Sequence, residues 1–518
     1  MNARENFEKL KELLDEATRQ NGIVSSLEWE MQTWTPEEAQ PGMAAKKSMA
    51  EKLAHRAFTK EPIGAALRTL VSQKDQLERS EGLLVERLCY GYERMRVLPP
   101  EFVEKKSQTT AKAYDAWQKA KEKKDFSLFA PHLKKVIELT REEALLYGAE
   151  KDNIDSIYTS LLGGYEPGMT VERLKEILDQ VKQWLVPVVK KIKSSPVKPD
   201  DEKLADRLLK GIFPKDKQRM LCEALLHTFG YNFKRGNLTE TAHPFMASVG
   251  PKDHRVTTHF LEDYLPATLF GVAHEGGHAL FAQGHNPMLE AMVVYGFIIS
   301  MGIHESQSRM WENIVCRSPE FWQYFYPVLQ AVFPQYYEVE IGDFVRAINV
   351  VRSNPIRIYS DEVTYNLHIL LRFELEYALL SGELQVEDLP EAFAKKMVDY
   401  LGIEPEDVSK GVLQDVHWSI GLFGYFPTYL LGNLGAAQYF ARFQKEFLIY
   451  RGKFERGNFS LLLQWLRPKV HLDGYYETLD ESLMRVTGEA LNPKYWFEYI
   501  LKKFDPFYKI TGPDISKS

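Results

Sequence analysis

His274-Glu275-Gly276-Gly277-His278 brings two imidazoles and a carboxylate together at a spacing that can carry out hydrolysis. On a helix, residues four apart share a face, so His274 and His278 can offer two ring nitrogens to one metal ion. Glu275 then stands beside the ion rather than on it, where a carboxylate can take a proton from an attacking water. The bland alternative is two ordinary helix histidines and a solvated glutamate. The surrounding run LPATLFGVAHEGGHALFAQG favours the metal reading. Apolar residues lead into the motif, Pro266 can start a helix, and Gly284 can end one.

Two histidines leave such a site a ligand short, because zinc hydrolases usually supply three side chains and keep a fourth position for water. The helical stretch YGFIISMGIHESQSRMWENIV (295–315) offers His304 and Glu305. Helix neighbours point about 100° apart, so only one of the two can face the ion. The pattern with a third histidine, H-E-x-x-H-x-x-G-x-x-H, fails here, since Phe281 and Gly284 stand where it needs Gly and His. Glu305 is the favoured ligand, far enough beyond His278 for a second helix to pack back beside the first. His304 is then expected on the substrate side.

The elements that must position these residues read as helices nearly throughout. Residues 3–20, 44–78, 80–96, 98–124 and 129–148 repeat apolar positions at spacings of three and four, as in Phe7, Leu10, Leu13 and Leu14. The segment KKIKSSPVKPDDEK (190–203) concentrates charge, Ser and Pro and reads as an exposed connection or hinge. Residues 231–260 alternate and are β-branched between Gly and Pro, which predicts two or three short strands just before the metal-motif helix. Helices resume from 266 to the end. The expected fold is mainly α, with a small antiparallel sheet beside the site.

Composition excludes several classes. A formal charge of -7 argues against nucleic-acid binding, which normally requires a basic excess. Cys89, Cys222 and Cys316 are too few and too scattered for a disulfide framework or a cysteine zinc site. The first twenty residues are charged and amphipathic, and no apolar stretch is long enough to span a membrane. The expectation is a cytoplasmic protein without membrane or nucleic-acid partners.

Beyond the first motif the chain carries His304-Glu305-Ser306-Gln307, His243-Pro244-Phe245, Asp253-His254-Arg255-Val256-Thr257, Ile356-Arg357 with Asp361, and Gly411-Val412-Leu413-Gln414-Asp415-Val416-His417-Trp418. Together these six motifs resemble those of the M32 family of metallocarboxypeptidases. Small departures are Ser360, where the family usually has Ala, and Gln307 directly after Ser306. The resemblance implies a single peptidase domain over 1–518 with a deep central cleft, the helical region from 1 to about 230 forming one wall or lid. It implies removal of C-terminal residues from peptides with broad preference, metal ligands at His274, His278 and Glu305, and Glu275 as general base. Zn2+, replaceable by Co2+, and a homodimer are further implications. An endo-acting zinc oligopeptidase is the alternative enzyme, and a helical scaffold with an inert motif is the alternative outside enzymes.

A carboxypeptidase must grip a free α-carboxylate, which a planar guanidinium does with two parallel hydrogen bonds. Arg357, in the break NPIRIYSD, is the first candidate and Arg255 the second, with a structural ion pair as the competing role for each. His243 and His417 can donate to the substrate backbone or to a developing oxyanion. Tyr429, and after it Tyr425, in GYFPTYLLGN, are phenols that can serve as oxyanion donors, against a role in aromatic packing.

Overall fold

The computed structural model describes residues 2–511 apart from Met288 and Tyr295. The described residues are mainly helical, as expected. They divide into two compact units, each assembled from three segments of chain. The first unit runs from the N-terminus to Arg96, then Ala205–Ile348 and Gly435–Leu491; the second takes Val97–Leu204, Asn349–Leu434 and the residues from Asn492. The stretch 1–230 is therefore shared between both units.

The first unit opens with the helix Ala3–Thr33, whose Asn2 and Glu5 cap each other's backbone N–H groups. Its buried stripe is Phe7, Leu10, Leu14 and Ala17, with Leu13 at the edge. The periodic run 44–78 is interrupted between the helices Gln40–Phe58 and Glu61–Val71, where Pro62 starts the second.

Three strands follow in this unit: β1 (Leu238–Glu240), β2 (Met246–Gly250) and β3 (Asp253–Thr258). The sheet has β3 in the centre and is mixed, not antiparallel as expected: β2 and β3 run antiparallel, β1 and β3 parallel. The path explains this. The chain reverses between β1 and β2, reverses again at the turn where Lys252 adopts φ 62°, and so returns along β3 in the direction of β1. The sheet lies against the metal-motif helix Leu265–Ala282, where a Cβ at Gly271 would sit 4.0 Å from Thr258 Oγ1 of β3. That helix is apolar on nearly every side and correspondingly buried, from Leu265 and Leu269 to Leu280 and Phe281.

In the second unit the helix Tyr365–Ser381 is also surrounded, by way of Leu367, Leu371, Leu375 and Leu379. It nevertheless buries His368, Arg372 and Glu376, one helical turn apart along a single face. The segment 190–203 is not a loop. The helices Val171–Lys193 and Lys198–Leu209 leave only 194–197 between them, and Asp200 and Asp201 occupy a first turn, where the helix dipole favours acids. No disulfide joins Cys89, Cys222 or Cys316. Among the described residues, no helix is long and apolar enough to cross a membrane.

Candidate metal centre

Within the first unit, Leu265–Ala282 presents His274 and His278 one turn apart, and the helix Met301–Arg309 presents Glu305. This second helix starts at Met301 rather than near 295, capped by Ser300, whose Oγ accepts from the Ile303 N–H at 3.0 Å; Tyr295 lies outside the described residues. The two helices approach closely at Gly277, where a Cβ would sit 2.7 Å from both Gln307 O and Ser308 Cα. Glycine is what permits this approach, and the approach brings Glu305 to the histidines.

His274 Nε2 and His278 Nε2 lie 3.5 and 3.4 Å from the same Glu305 oxygen, Oε2. A tetrahedral ion bound at 2.0–2.2 Å needs ligand atoms about 3.3–3.5 Å apart, which both imidazole–carboxylate distances meet, and all three donors lie within 4.8 Å of one another. His274, His278 and Glu305 form a group that could hold a metal ion.

Both imidazoles are oriented from behind. His274 Nδ1 lies 2.9 Å from Glu312 Oε2, and His278 Nδ1 lies 3.1 Å from the backbone oxygen of His304. Each Nδ1–H donates there, leaving each Nε2 lone pair toward Glu305. Glu305 Oε1 accepts from Arg309 Nε at 2.7 Å and Oε2 from Ser308 Oγ at 3.0 Å. Arg309 Nη1 also donates to Glu312 Oε2 at 3.2 Å. Burial opposes the charge on Glu312, yet Arg309, His274 and Arg317 hold its carboxyl down to about 2. Burial pushes Glu275 the other way, above the usual carboxylate range, against the pull of His274 and His278.

Glu312 is not among the residues that the sequence motifs single out. Its signal is nonetheless present there, as the stripe Glu305, Arg309, Glu312 at helical spacing within an otherwise buried stretch. A π-helical turn, Met310–Val315, follows Arg309 and carries Glu312. His304 does not face the ligand group; its ring stacks on His278 with centroids 4.0 Å apart. In the same unit, Arg255 gives its Nε and Nη2 edge to Asp253 at 2.9 and 2.7 Å and lies over the Trp29 ring. His243 is exposed after β1, and its backbone oxygen accepts from Thr241 Oγ1.

The remaining candidates belong to the second unit. Arg357 is buried, with Nε and Nη2 on Asp415 Oδ1 at 3.0 and 2.9 Å and Nη1 donating to the Tyr365 hydroxyl at 2.8 Å. These partners use three of its five N–H donors. The other Asp415 oxygen pairs with the buried Arg372, whose Nε donates at 2.7 Å. Two guanidiniums thus share one carboxylate, which they hold well below the usual range despite burial. His417 Nε2 lies 3.3 Å from the Tyr429 hydroxyl, and Arg357 sits over the Tyr429 ring at 4.9 Å. Burial, followed by Arg357, lowers His417 to about 3, so it is neutral at ordinary pH. Tyr425 packs edge-on to Tyr429 and Tyr165.

Residues 9–504 match the family described as Carboxypeptidase Taq (M32) metallopeptidase. The chain is 38% identical to thermostable carboxypeptidase 1 of Thermus thermophilus over 95% of its own length and 98% of that protein's. It is 35% identical to carboxypeptidase 1 of Bacillus subtilis, over 96% and 97%. The crystal structure of an M32 carboxypeptidase from Deinococcus radiodurans superposes with a TM-score of 0.90 at 31% identity, covering 98% of this chain and all of that one.

Proposed function

Because the chain belongs to the M32 family of metallocarboxypeptidases, we propose that it removes C-terminal residues from peptides with a zinc ion on His274, His278 and Glu305 and with Glu275 as base. The observation that carries this reading is the convergence of both Nε2 atoms on Glu305 Oε2, with each Nδ1 already engaged. Two imidazoles and a carboxylate suit zinc, with cobalt as a substitute. The ion supplies polarisation of the scissile carbonyl and acidification of a water. Glu275 accepts the water's proton and returns it to the leaving amine. Its burial raises its proton affinity, which helps it hold that proton until the C–N bond breaks. Tyr429, hydrogen-bonded to neutral His417, is assigned to the developing oxyanion. Tyr425, His243 and His304 are assigned to substrate contacts. A homodimer, from family likeness, and a cytoplasmic location, from the few scattered cysteines, belong to the same reading.

Arg357 is assigned to the substrate's terminal carboxylate. Its cluster buries two guanidiniums against Asp415, and Arg357 has five N–H donors of which Asp415 and Tyr365 use three, leaving a fork that can receive a substrate carboxylate. Arg357→Ala leaves Asp415 still paired with Arg372, so no carboxylate is orphaned. The test follows digestion of free-acid and amidated peptides by mass. Amidation should cost on the order of 2–5 kcal/mol in kcat/KM, and Arg357→Ala should cost as much on free acids while scarcely changing amides. Retention of the free-acid preference in Arg357→Ala, with its loss in Arg255→Ala, would move the carboxylate to Arg255. Equal cleavage of both peptides by the wild type would remove the anchor altogether.

A further inference from the structure

We propose that Glu376 is a positioning residue for the reaction, its ionised carboxylate pinning both ends of the turn that follows His417. This rests on the roles given above to His417 and Tyr429.

Glu376 is fully buried in the second unit, on the helix Tyr365–Ser381. Its Oε1 accepts from Trp418 Nε1 at 2.8 Å, and its Oε2 accepts from the Tyr158 hydroxyl at 2.8 Å and the Gly424 N–H at 3.1 Å. Trp418 and Gly424 are the two ends of one turn, closed inside by the Gly421 N–H on Trp418 O at 3.2 Å and tied back to His417 O by the Leu422 N–H at 2.9 Å. Gly421 and Gly424 both adopt positive φ, 78° and 84°, and a Cβ at Gly424 would meet Leu162 N at 3.1 Å. A turn that depends on two left-handed glycines has few alternatives to these anchors. His417 precedes it, and Phe426 and Tyr429 follow, with the His417 ring 4.3 Å from that of Phe426.

Two of the three partners, an indole N–H and a backbone N–H, can only donate. A carboxylate accepts from all three through charge-assisted bonds, whereas in the neutral acid the Tyr158 hydroxyl must turn from donor to acceptor and the bonds from Trp418 and Gly424 lose the charge that strengthens them. Burial pushes Glu376 up to about 7, opposed by the bonds from Trp418, Tyr158 and Gly424 and by Arg372 one turn back. Tyr158 and Tyr165 are the titratable groups facing it from the neighbouring segment. The turn is therefore held most strongly when Glu376 is ionised.

The experiment compares metal-loaded wild type with Glu376→Gln, whose amide presents an N–H group to a donor at every pH. We expect equal metal content, a KM within about twofold, and kcat about tenfold lower at about pH 8. The wild-type to variant ratio should narrow toward one as pH falls through about 7, whatever Glu275 does in both proteins. Tyr158→Phe keeps the carboxylate with two donors, so its kcat midpoint should move to higher pH; it also serves if the glutamine variant does not fold. A ratio constant with pH, or an unmoved midpoint in Tyr158→Phe, overturns the proposal. His417→Ala and Tyr429→Phe run alongside. If both leave kcat intact, the reading of those residues fails; if both lower it while Glu376→Gln does not, the inference about Glu376 fails.

Discussion

Replacing Gly277 by alanine should loosen the metal centre and destabilise the protein, although the same change in a helix interior normally stabilises by about 0.5–1 kcal/mol. The added Cβ would lie 2.7 Å from Gln307 O and Ser308 Cα, both on backbone that cannot rotate away. Carbon contacts settle near 3.4 Å or beyond, so the helix Met301–Arg309 must retreat by roughly half an ångström or more. Overpacking of this kind costs about 1–3 kcal/mol, enough to reverse the sign of the propensity gain. Glu305 moves with its helix, and a displacement above the ~0.2 Å tolerance of a ligand distance should weaken metal binding about 10–100-fold. Gly22→Ala is the control, because Gly22 lies inside the helix Ala3–Thr33 with nothing within 4 Å of its missing Cβ. Metal retention against a graded chelator and the thermal midpoint should be measured for both variants. A Gly277→Ala protein that holds metal like the wild type and gains stability like Gly22→Ala would refute the close-approach argument.

Glu275→Gln should keep its metal and lose activity by about 10²–10⁴; near-normal turnover with metal present would rule out Glu275 as the base. Glu305→Ala should lose the metal while His304→Ala keeps it, since the His304 backbone oxygen, unaffected by the change, is what holds His278; metal analysis giving the reverse pattern would reassign the ligand. Glu446, bonded to Arg442, Trp465 and Lys469, has its carboxyl held down to about 2 despite partial burial. Its folded value lies below its unfolded one, so its contribution is complete above about pH 4.5 and lost as pH falls toward 2. Glu446→Gln should accordingly lower the thermal midpoint at neutral pH, with the gap closing as pH falls from about 5 to 3.

The metal helix is legible in the sequence because its signals are local: Pro266 at one end, Gly284 just past the other, and the histidines one turn apart. Glu305 is legible by elimination and helix geometry. The ties that orient these ligands are not, because Glu312 reaches His274 only through a π-helical turn and His278 is held by a backbone oxygen, which no side-chain pattern encodes. Arg357 stands out as a cation, but its pairing with Asp415 joins residues 58 apart and depends on tertiary packing. The segment 190–203, helical where its composition suggests a connection, is instructive in another way. Pro and Asp are loop formers, yet the same residues favour a helix's first turn, and the sequence alone does not decide between the two uses. The sheet direction likewise depends on a path between strands that alternation does not encode.

The interleaving of the two units bears on how the chain emerges during synthesis. All three proposed ligand residues fall between 274 and 305, close enough for a helical pair to collect them soon after translation of that stretch. The unit that encloses them is completed only by Gly435–Leu491, which includes His471, whose Nε2 donates to Gln307 Oε1 from the far end of the chain. A nascent chain halted before residue 435 therefore holds the three proposed ligands without the whole enclosure around them. Metal capture by such a chain would precede protection of the site, and any C-terminal truncation reaching into 435–491 would leave the ion's surroundings open to solvent and chelators.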